Sequence, residues 1–355
     1  MPGRRVGIVT RHLHEASGVG TYSRELIAAL PGAGVEPVVF SPRPPRLGEV
    51  AEGVEVISAR GRGKALEMLW TMGRAAPLAR RAGIDLLHYL WPIGSLRPGP
   101  PYVVTVHDAL NFSLPAYRLS PVAERLLRRS VERARMVLTP SEHALNEITF
   151  YYQVPEERVA VTPLGAPDVE TRPDGIGGDW WLFLGGIERR KNLRGVIEAW
   201  NSLAEPRAPL RVAGTLAPSQ RHEDRGELER MAAPGLEMLG FVSEDELDAL
   251  YRGAIALVVP SHAEGFGLPL VEAMARGVPV IASAGGAMEE VAGDGALLVA
   301  PDPGAIADGM RRVASDSELR ARLRENGLRR ARYLQWRRTA KTTAASYERA
   351  LADRE

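Results

Sequence analysis

Short apolar runs alternate with longer, helix-periodic stretches along almost the whole chain, and this alternation restricts the fold more than any other feature. Val6–Thr10, Val35–Phe40, Val54–Ser58, Asp85–Leu90, Tyr102–His107 and Met136–Thr139 read as buried strands. Gly18–Leu30, Lys64–Ala82, Val122–Arg133 and a segment capped by Ser141 read as the helices between them. Strand and helix in strict turn predict a parallel sheet covered by helices on both faces. Gly165–Asp179, rich in Gly, Pro and Asp, breaks the pattern and reads as a linker. The pattern then restarts, with strands at Trp181–Gly185, Leu210–Ala213, Leu236–Leu239, Ile255–Val259, Val278–Ala282 and Ala296–Val299. Helices fall at Asn192–Leu203, Arg221–Ala232, Ser243–Tyr251, Leu268–Ala275 and Pro303–Val313. From Glu318 to Ala352 the chain is helical, with a break near Tyr333–Trp336.

At 355 residues the chain exceeds what one core usually supports. The expectation is an α/β protein of two Rossmann-like domains, residues 1–168 and 169–335, with a final helix at 336–355 crossing back to pack on the first; a plain second-domain helix is the alternative. Residues 1–170 hold 20 basic and 17 acidic side chains, leaving 25 and 27 for the remainder, so neither half is a polycation and nucleic acid is not expected as a partner. Affinity for phosphate must then come from a few placed residues. Cysteine is absent, which excludes disulfides, thiolate nucleophiles and Cys-ligated metal. The first residues lead straight into a strand without the apolar core of a signal peptide, and no apolar run is long enough to span a bilayer, so a cytoplasmic location is expected.

Two loops carry the chemistry. Ser261-His262-Ala263-Glu264-Gly265-Phe266-Gly267-Leu268-Pro269-Leu270-Val271-Glu272 follows a buried strand and opens a helix. Ligands of open α/β sheets bind outside the carboxyl ends of strands. Gly265 and Gly267 allow close backbone approach, and the amides near Leu268 and Leu270 are placed to receive an anion. Glu264 and Glu272 are suited to accept hydrogen bonds from sugar and ribose hydroxyls. Phe183-Leu184-Gly185-Gly186-Ile187-Glu188-Arg189-Arg190-Lys191-Asn192 also joins a strand to a helix. Cations at a helix start oppose the dipole unless an anion is bound there, so Arg190 and Lys191 read as a clamp for a diphosphate whose charge grows as a glycosidic bond breaks.

These loops, in this order, resemble the retaining glycosyltransferases of family 4, which have the GT-B fold of two domains facing across a cleft. Glu264 and Glu272 match the family's E-x7-E motif, and Arg190-Lys191-Asn192 its Arg-Lys-Asn segment. Ser17-Gly18-Val19-Gly20-Thr21-Tyr22 matches its glycine-rich first loop, Thr105-Val106-His107-Asp108 its His-Asp strand end, and Gly240-Phe241-Val242-Ser243 the segment that receives the base. The resemblance implies that Glu272 binds the ribose and Glu264 the transferred sugar, while Gly265, Phe266, Gly267 and Leu268 hold sugar or phosphate. It implies that Val242 lies by the base, that Gly18, Gly20 and Gly186 approach the phosphates, and that His107 faces the reacting centre from the other domain. Many relatives carry Arg where this chain has Gly186, which leaves two clamp cations instead of three. The implied reaction is front-face transfer with retention, in which the leaving phosphate helps to deprotonate the acceptor.

The donor is then a nucleoside diphosphate sugar, with GDP-mannose expected first because the Arg-Lys-Asn and His-Asp segments look like those of bacterial polysaccharide mannosyltransferases. The acceptor is a glycan, a lipid-linked saccharide or a small molecule. No D-x-D pair and no histidine cluster of the metal-binding kind occurs, so neither a metal nor a further cofactor is expected. Glu244-Asp245-Glu246 after Ser243 reads as a capping box. His12 and His14 read as loop histidines, and Trp180 and Trp181 as packing. Arg125, Arg128, Arg129 and Arg133 form one basic helix face, a solvated surface or a contact for an anionic membrane. A nucleotide-sugar 2-epimerase and a non-catalytic sugar-nucleotide sensor remain as alternative functions.

Overall fold

The computed structural model describes residues 3–59, 63–169, 171, 178–216, 225–231 and 233–352. Contacts divide the chain into two compact units, the first comprising Met1–Ser113, Arg118–Gly165 and Trp336–Glu355, the second Leu114–Tyr117 and Ala166–Gln335.

The first unit is built on β1 (Arg4–Val9), β2 (Val35–Ser41), β3 (Glu55–Ser58), β4 (Leu86–Tyr89), β5 (Tyr102–Thr105), β6 (Met136–Thr139) and β7 (Val159–Val161). They form one sheet in the order β3-β2-β1-β4-β5-β6-β7, and every pairing is parallel. β4, β5 and β6 are buried at every position, as strands with helices on both faces must be. β7 escapes sequence reading because three residues are too few to show a period. The single helix expected over Lys64–Ala82 is two, Lys64–Gly73 and Ala75–Arg81. Pro77 supplies no N–H to the turn before it, so a continuous helix would lose a bond there.

The last helix, Trp336–Ala352, belongs to this unit and not to the sheet that precedes it in the chain. Tyr347 on that helix reaches His88 Nδ1 at 2.7 Å, His88 Nε2 meets Thr105 Oγ1 at 2.7 Å, and Thr105 Oγ1 meets Tyr22 at 2.9 Å. All four side chains are buried. Thr339 donates to Pro163 O at 2.6 Å, and a side chain on Gly165 would strike the Trp336 backbone, so the helix start is fixed as closely as its middle.

The second unit contains β8 (Trp180–Leu184), β9 (Leu210–Ala213), β10 (Leu236–Gly240), β11 (Ala254–Val259), β12 (Val280–Ser283) and β13 (Leu297–Val299). Their order is β10-β9-β8-β11-β12-β13, again all parallel. Trp181 is buried, and Trp180 covers Gly253 with Arg211 stacked on it at 3.8 Å, so both tryptophans pack. Ser243 and Glu246 form the expected capping box of the helix Glu244–Arg252. Of the expected helix Arg221–Ala232, Arg225–Met231 is helical, while 221–224 and 232 lie outside the described residues. So do 170 and 172–177 of the expected linker.

In both sheets chain order reverses at one place, between β1 and β4 and between β8 and β11. Loops leaving adjacent strands there run to opposite faces and open a crevice at the carboxyl ends.

Candidate active site

At the β8/β11 reversal the two expected loops meet. Arg190 and Lys191 leave β8 and Glu264 leaves β11. Arg190 Nη1 donates to Glu264 Oε2 at 2.7 Å and to Ala263 O at 3.1 Å, and Lys191 Nζ pairs with Glu264 Oε1. Ser261 adds a hydrogen bond to Glu264 at 3.0 Å, and the His262 amide donates to Arg190 O at 2.7 Å. Side chain and backbone together tie the two loops to each other, and the bonds to the carboxylate are the strong, charge-assisted kind. The Glu264 side chain is only 9% exposed. Burial alone would raise its carboxyl, but Lys191 and Arg190 outweigh burial and hold it down at about 2. Burial also pulls the Lys191 ammonium below its ordinary range, with Glu264 opposing.

The cations do not stand in the first turn of a helix. Arg189–Lys191 form a 3-10 turn, and Asn192, at φ 60°, turns the chain into the helix Leu193–Asn201. Buried Asn192 donates to Pro260 O at 3.2 Å and to Pro301 O at 2.8 Å, which ties the β8 loop to the segments after β11 and β13. No local signal marks this role, because its partners lie far along the chain. The sequence likewise assigns no role to Glu188 or Tyr117. Glu188 accepts from Arg190 Nε at 2.8 Å and from the Tyr117 hydroxyl, and Arg190 Nε lies 3.1 Å from that hydroxyl. A side chain at Gly186 would meet the Glu188 carboxylate at 3.3 Å, so glycine there leaves room for this cluster. Glu188 and Glu264 together balance Arg190 and Lys191, and a carboxylate two residues before Arg190 is the signal that could have found Glu188.

In the second loop Gly267 adopts φ 94° and abuts Met288, a position closed to other residues, and Phe266 beside it is buried. One expectation is corrected. Pro269 has no N–H and the Leu270 amide donates to Gly267 O at 3.0 Å, so an anion cannot use Leu270. Leu268 begins the helix Leu268–Ala275 and Gly265 is buried in the loop. Glu272, one turn on, accepts from Tyr251 at 2.8 Å. Burial raises its carboxyl, and Glu244 adds to the rise. Val242, half-buried, precedes the helix that supplies Tyr251.

The first unit places its residues at the β1/β4 reversal and the end of β5. Ser17 caps the helix Gly18–Ala29 by accepting the Gly20 amide at 3.2 Å. Gly20 therefore has no amide to give a phosphate. A Cβ at Gly20 would lie 2.0 Å from Glu15 O, so only glycine lets the helix start pack this closely against the preceding loop. Gly18, the first residue of the helix, is exposed. His107 Nε2 lies 3.3 Å from Leu90 O, and its ring meets Tyr22 edge-on at 4.9 Å. A carbonyl can only accept, so Nε2 carries the proton and Nδ1 keeps its lone pair. Burial lowers this imidazole to about 4, and nearby His12 lowers it further, so it is neutral at physiological pH. His12 contacts Glu15 at 2.9 Å and Trp91 at 5.2 Å, and His14 pairs with Glu49. Arg125, Arg128, Arg129 and Arg133 line an open groove with Glu124 and Glu132, where Arg128 is already paired with Glu124. Among the described residues no group of His, Asp and Glu is placed to hold a metal, and no helix is long and apolar enough to cross a membrane.

The family model described as "Glycosyl transferases group 1" matches residues 178–330, and that described as "Glycosyltransferase Family 4" matches residues 16–168. A D-inositol 3-phosphate glycosyltransferase of Frankia alni is 30% identical, with 95% of this chain and 96% of that protein covered. O-antigen chain mannosyltransferase B of Escherichia coli is 29% identical, with 69% of this chain and 70% of that protein covered. The solved structure of Anabaena HepE in complex with UDP and glucose has a TM-score of 0.74 at 16% identity, covering 97% of this chain and 98% of that one. With the two-sheet α/β architecture and the meeting of the two loops, these similarities show that the chain belongs to the family 4 glycosyltransferases, of the GT-B fold.

Proposed function

We propose that the protein transfers a hexose, with retention, from a nucleoside diphosphate sugar to a hydroxyl acceptor. The observation that carries this reading is the convergence of Arg190, Lys191 and Glu264 from two strand ends at the β8/β11 reversal. On donor binding the diphosphate takes the cations, and Glu264 is freed to accept hydrogen bonds from the transferred sugar. Glu272 takes the ribose diol, Val242 borders the base, and Gly265, Phe266, Gly267 and Leu268 shape the pocket for sugar and phosphate. As the glycosidic bond breaks, charge grows on the β-phosphate, and the fixed cations stabilise it. They supply the charge that a metal ion would otherwise bring, so the reaction is proposed to need none, and chelation by EDTA should leave the rate unchanged. His107, neutral with a lone pair on Nδ1, is proposed to accept a hydrogen bond from a hydroxyl of the reacting sugar. The proposed acceptor is a glycan or a lipid-linked saccharide, and the arginine face at 125–133 is the surface proposed to meet an anionic membrane.

Mannose is the sugar to test first, because a mannosyltransferase is among the relatives. Thermal shift against GDP-, UDP- and ADP-sugars tests the donor, since a ligand that binds the folded state raises its melting temperature by mass action. No shift with any of them would defeat the reading. Donor turnover that needs no acceptor would favour the epimerase, and binding without turnover the sensor.

A further inference from the structure

We propose that Tyr117 and Glu188 are positioning residues that fix the guanidinium plane of Arg190 for the diphosphate, an inference that rests on the donor reading above. Arg190 is held along two separate edges. Nη1 goes to Glu264 and Ala263 O, the partners on the β11 loop. Nε goes to Glu188 at 2.8 Å and lies 3.1 Å from the Tyr117 hydroxyl, whose proton goes to Glu188. Tyr117 is 9% exposed, and it packs in the second unit although the chain on either side of Leu114–Tyr117 packs in the first. A planar guanidinium held at one edge keeps its orientation when the partner at the other edge is exchanged.

That exchange is what donor binding demands. Glu264 must release the cations for the phosphates, and at that moment the Nε edge keeps Arg190 in register. Glu188 beside a diphosphate would repel it, but its charge is already shared between Arg190 and the Tyr117 hydroxyl. Tyr117 thus both orients the clamp and takes up part of the carboxylate charge. Gly186 leaves the space in which this happens, since a Cβ there presses on Glu188.

The test is a double-mutant cycle read by calorimetric binding of GDP, UDP and ADP, which needs no acceptor. Tyr117→Phe keeps the ring and removes the hydroxyl, and should weaken the nucleoside diphosphate that binds wild type by about tenfold, the scale of one hydrogen bond to a charged group. Arg190→Lys keeps the charge but has no Nε edge, so adding Tyr117→Phe to it should change affinity by less than about twofold. Glu188→Gln keeps an acceptor for Nε and should lose less than Glu188→Ala. Unchanged affinity in Tyr117→Phe, or an equal loss in the wild-type and Arg190→Lys backgrounds, would overturn the inference. Wild type that binds none of the three would instead defeat the donor reading, which keeps the two failures apart.

Discussion

The carboxyl ends of β8 and β11 carry a cluster of paired charges, whereas at those of β1, β4 and β5 imidazole rings lie against aromatic rings, with Arg11 and Glu15 beside His12. In the second unit Arg190, Lys191, Glu188 and Glu264 neutralise one another within a few ångströms. In the first, His12 lies against Trp91, and neutral His107 against Tyr22. Both places are reversals of the same kind of sheet, so the difference lies in the side chains and not in the topology. A buried, balanced charge cluster is held together strongly but can exchange one anion for another. A neutral imidazole in an aromatic wall can only offer or accept a hydrogen bond.

The largest effect expected from breaking this contrast is on stability. Glu264→Ala leaves Arg190 and Lys191 without their shared carboxylate, and urea unfolding should show a loss of about 3–5 kcal/mol. Saturating nucleoside diphosphate should restore part of it, because the phosphates take the vacated place; a loss that no nucleotide repairs would mean the cluster serves the fold alone. Next in size, Lys191→Ala should slow transfer by about 10²–10³, the scale of losing a main charge stabiliser. Unchanged kcat/KM would remove Lys191 from the reaction.

The ring-lined side is tested by pH. Burial holds His88 at about 3 and His107 at about 4, below the ordinary 6.5 of the unfolded chain. The unfolded chain takes up protons that the folded one refuses, so stability is full above pH 6.5 and falls as pH drops toward 4. At about pH 5 each histidine should have cost about 2 kcal/mol, measured by urea unfolding at about pH 7.5 and again at about pH 5. His107→Gln should flatten that slope, and an unaltered slope would show that His107 titrates normally. The same neutrality predicts that His107 gives kcat/KM no inflection near the ordinary histidine value of about 6.5. Smallest is Tyr347→Phe, which leaves buried His88 Nδ1 without its partner and should cost about 1–2 kcal/mol with little change in donor affinity.

Much of the scaffold was legible because its signals are local. The strand Met136–Thr139 and the helix Leu268–Ala275 stand where apolar period and Gly267 place them, and the Ser243 capping box is spelled out in four consecutive residues. Departures arise where a local pattern hides a bond already used. Leu270 has the pattern of an anion donor, yet its amide belongs to Gly267. The long apolar pattern over Lys64–Ala82 conceals a break, because period alone does not register the N–H that Pro77 lacks.

The order of residues by itself determined the alternating α/β architecture, the two loops and the residue types within them, since period, glycine and charge are written in neighbouring positions. Only the tertiary structure decided that Arg190 and Glu264, 74 residues apart, hold each other. It alone brought Tyr117 to Glu188 across 71 residues and set Tyr347 on His88 across 259. Such pairings depend on which strands become neighbours, and strand order is fixed by the packing of the whole sheet, to which no short stretch of sequence gives access.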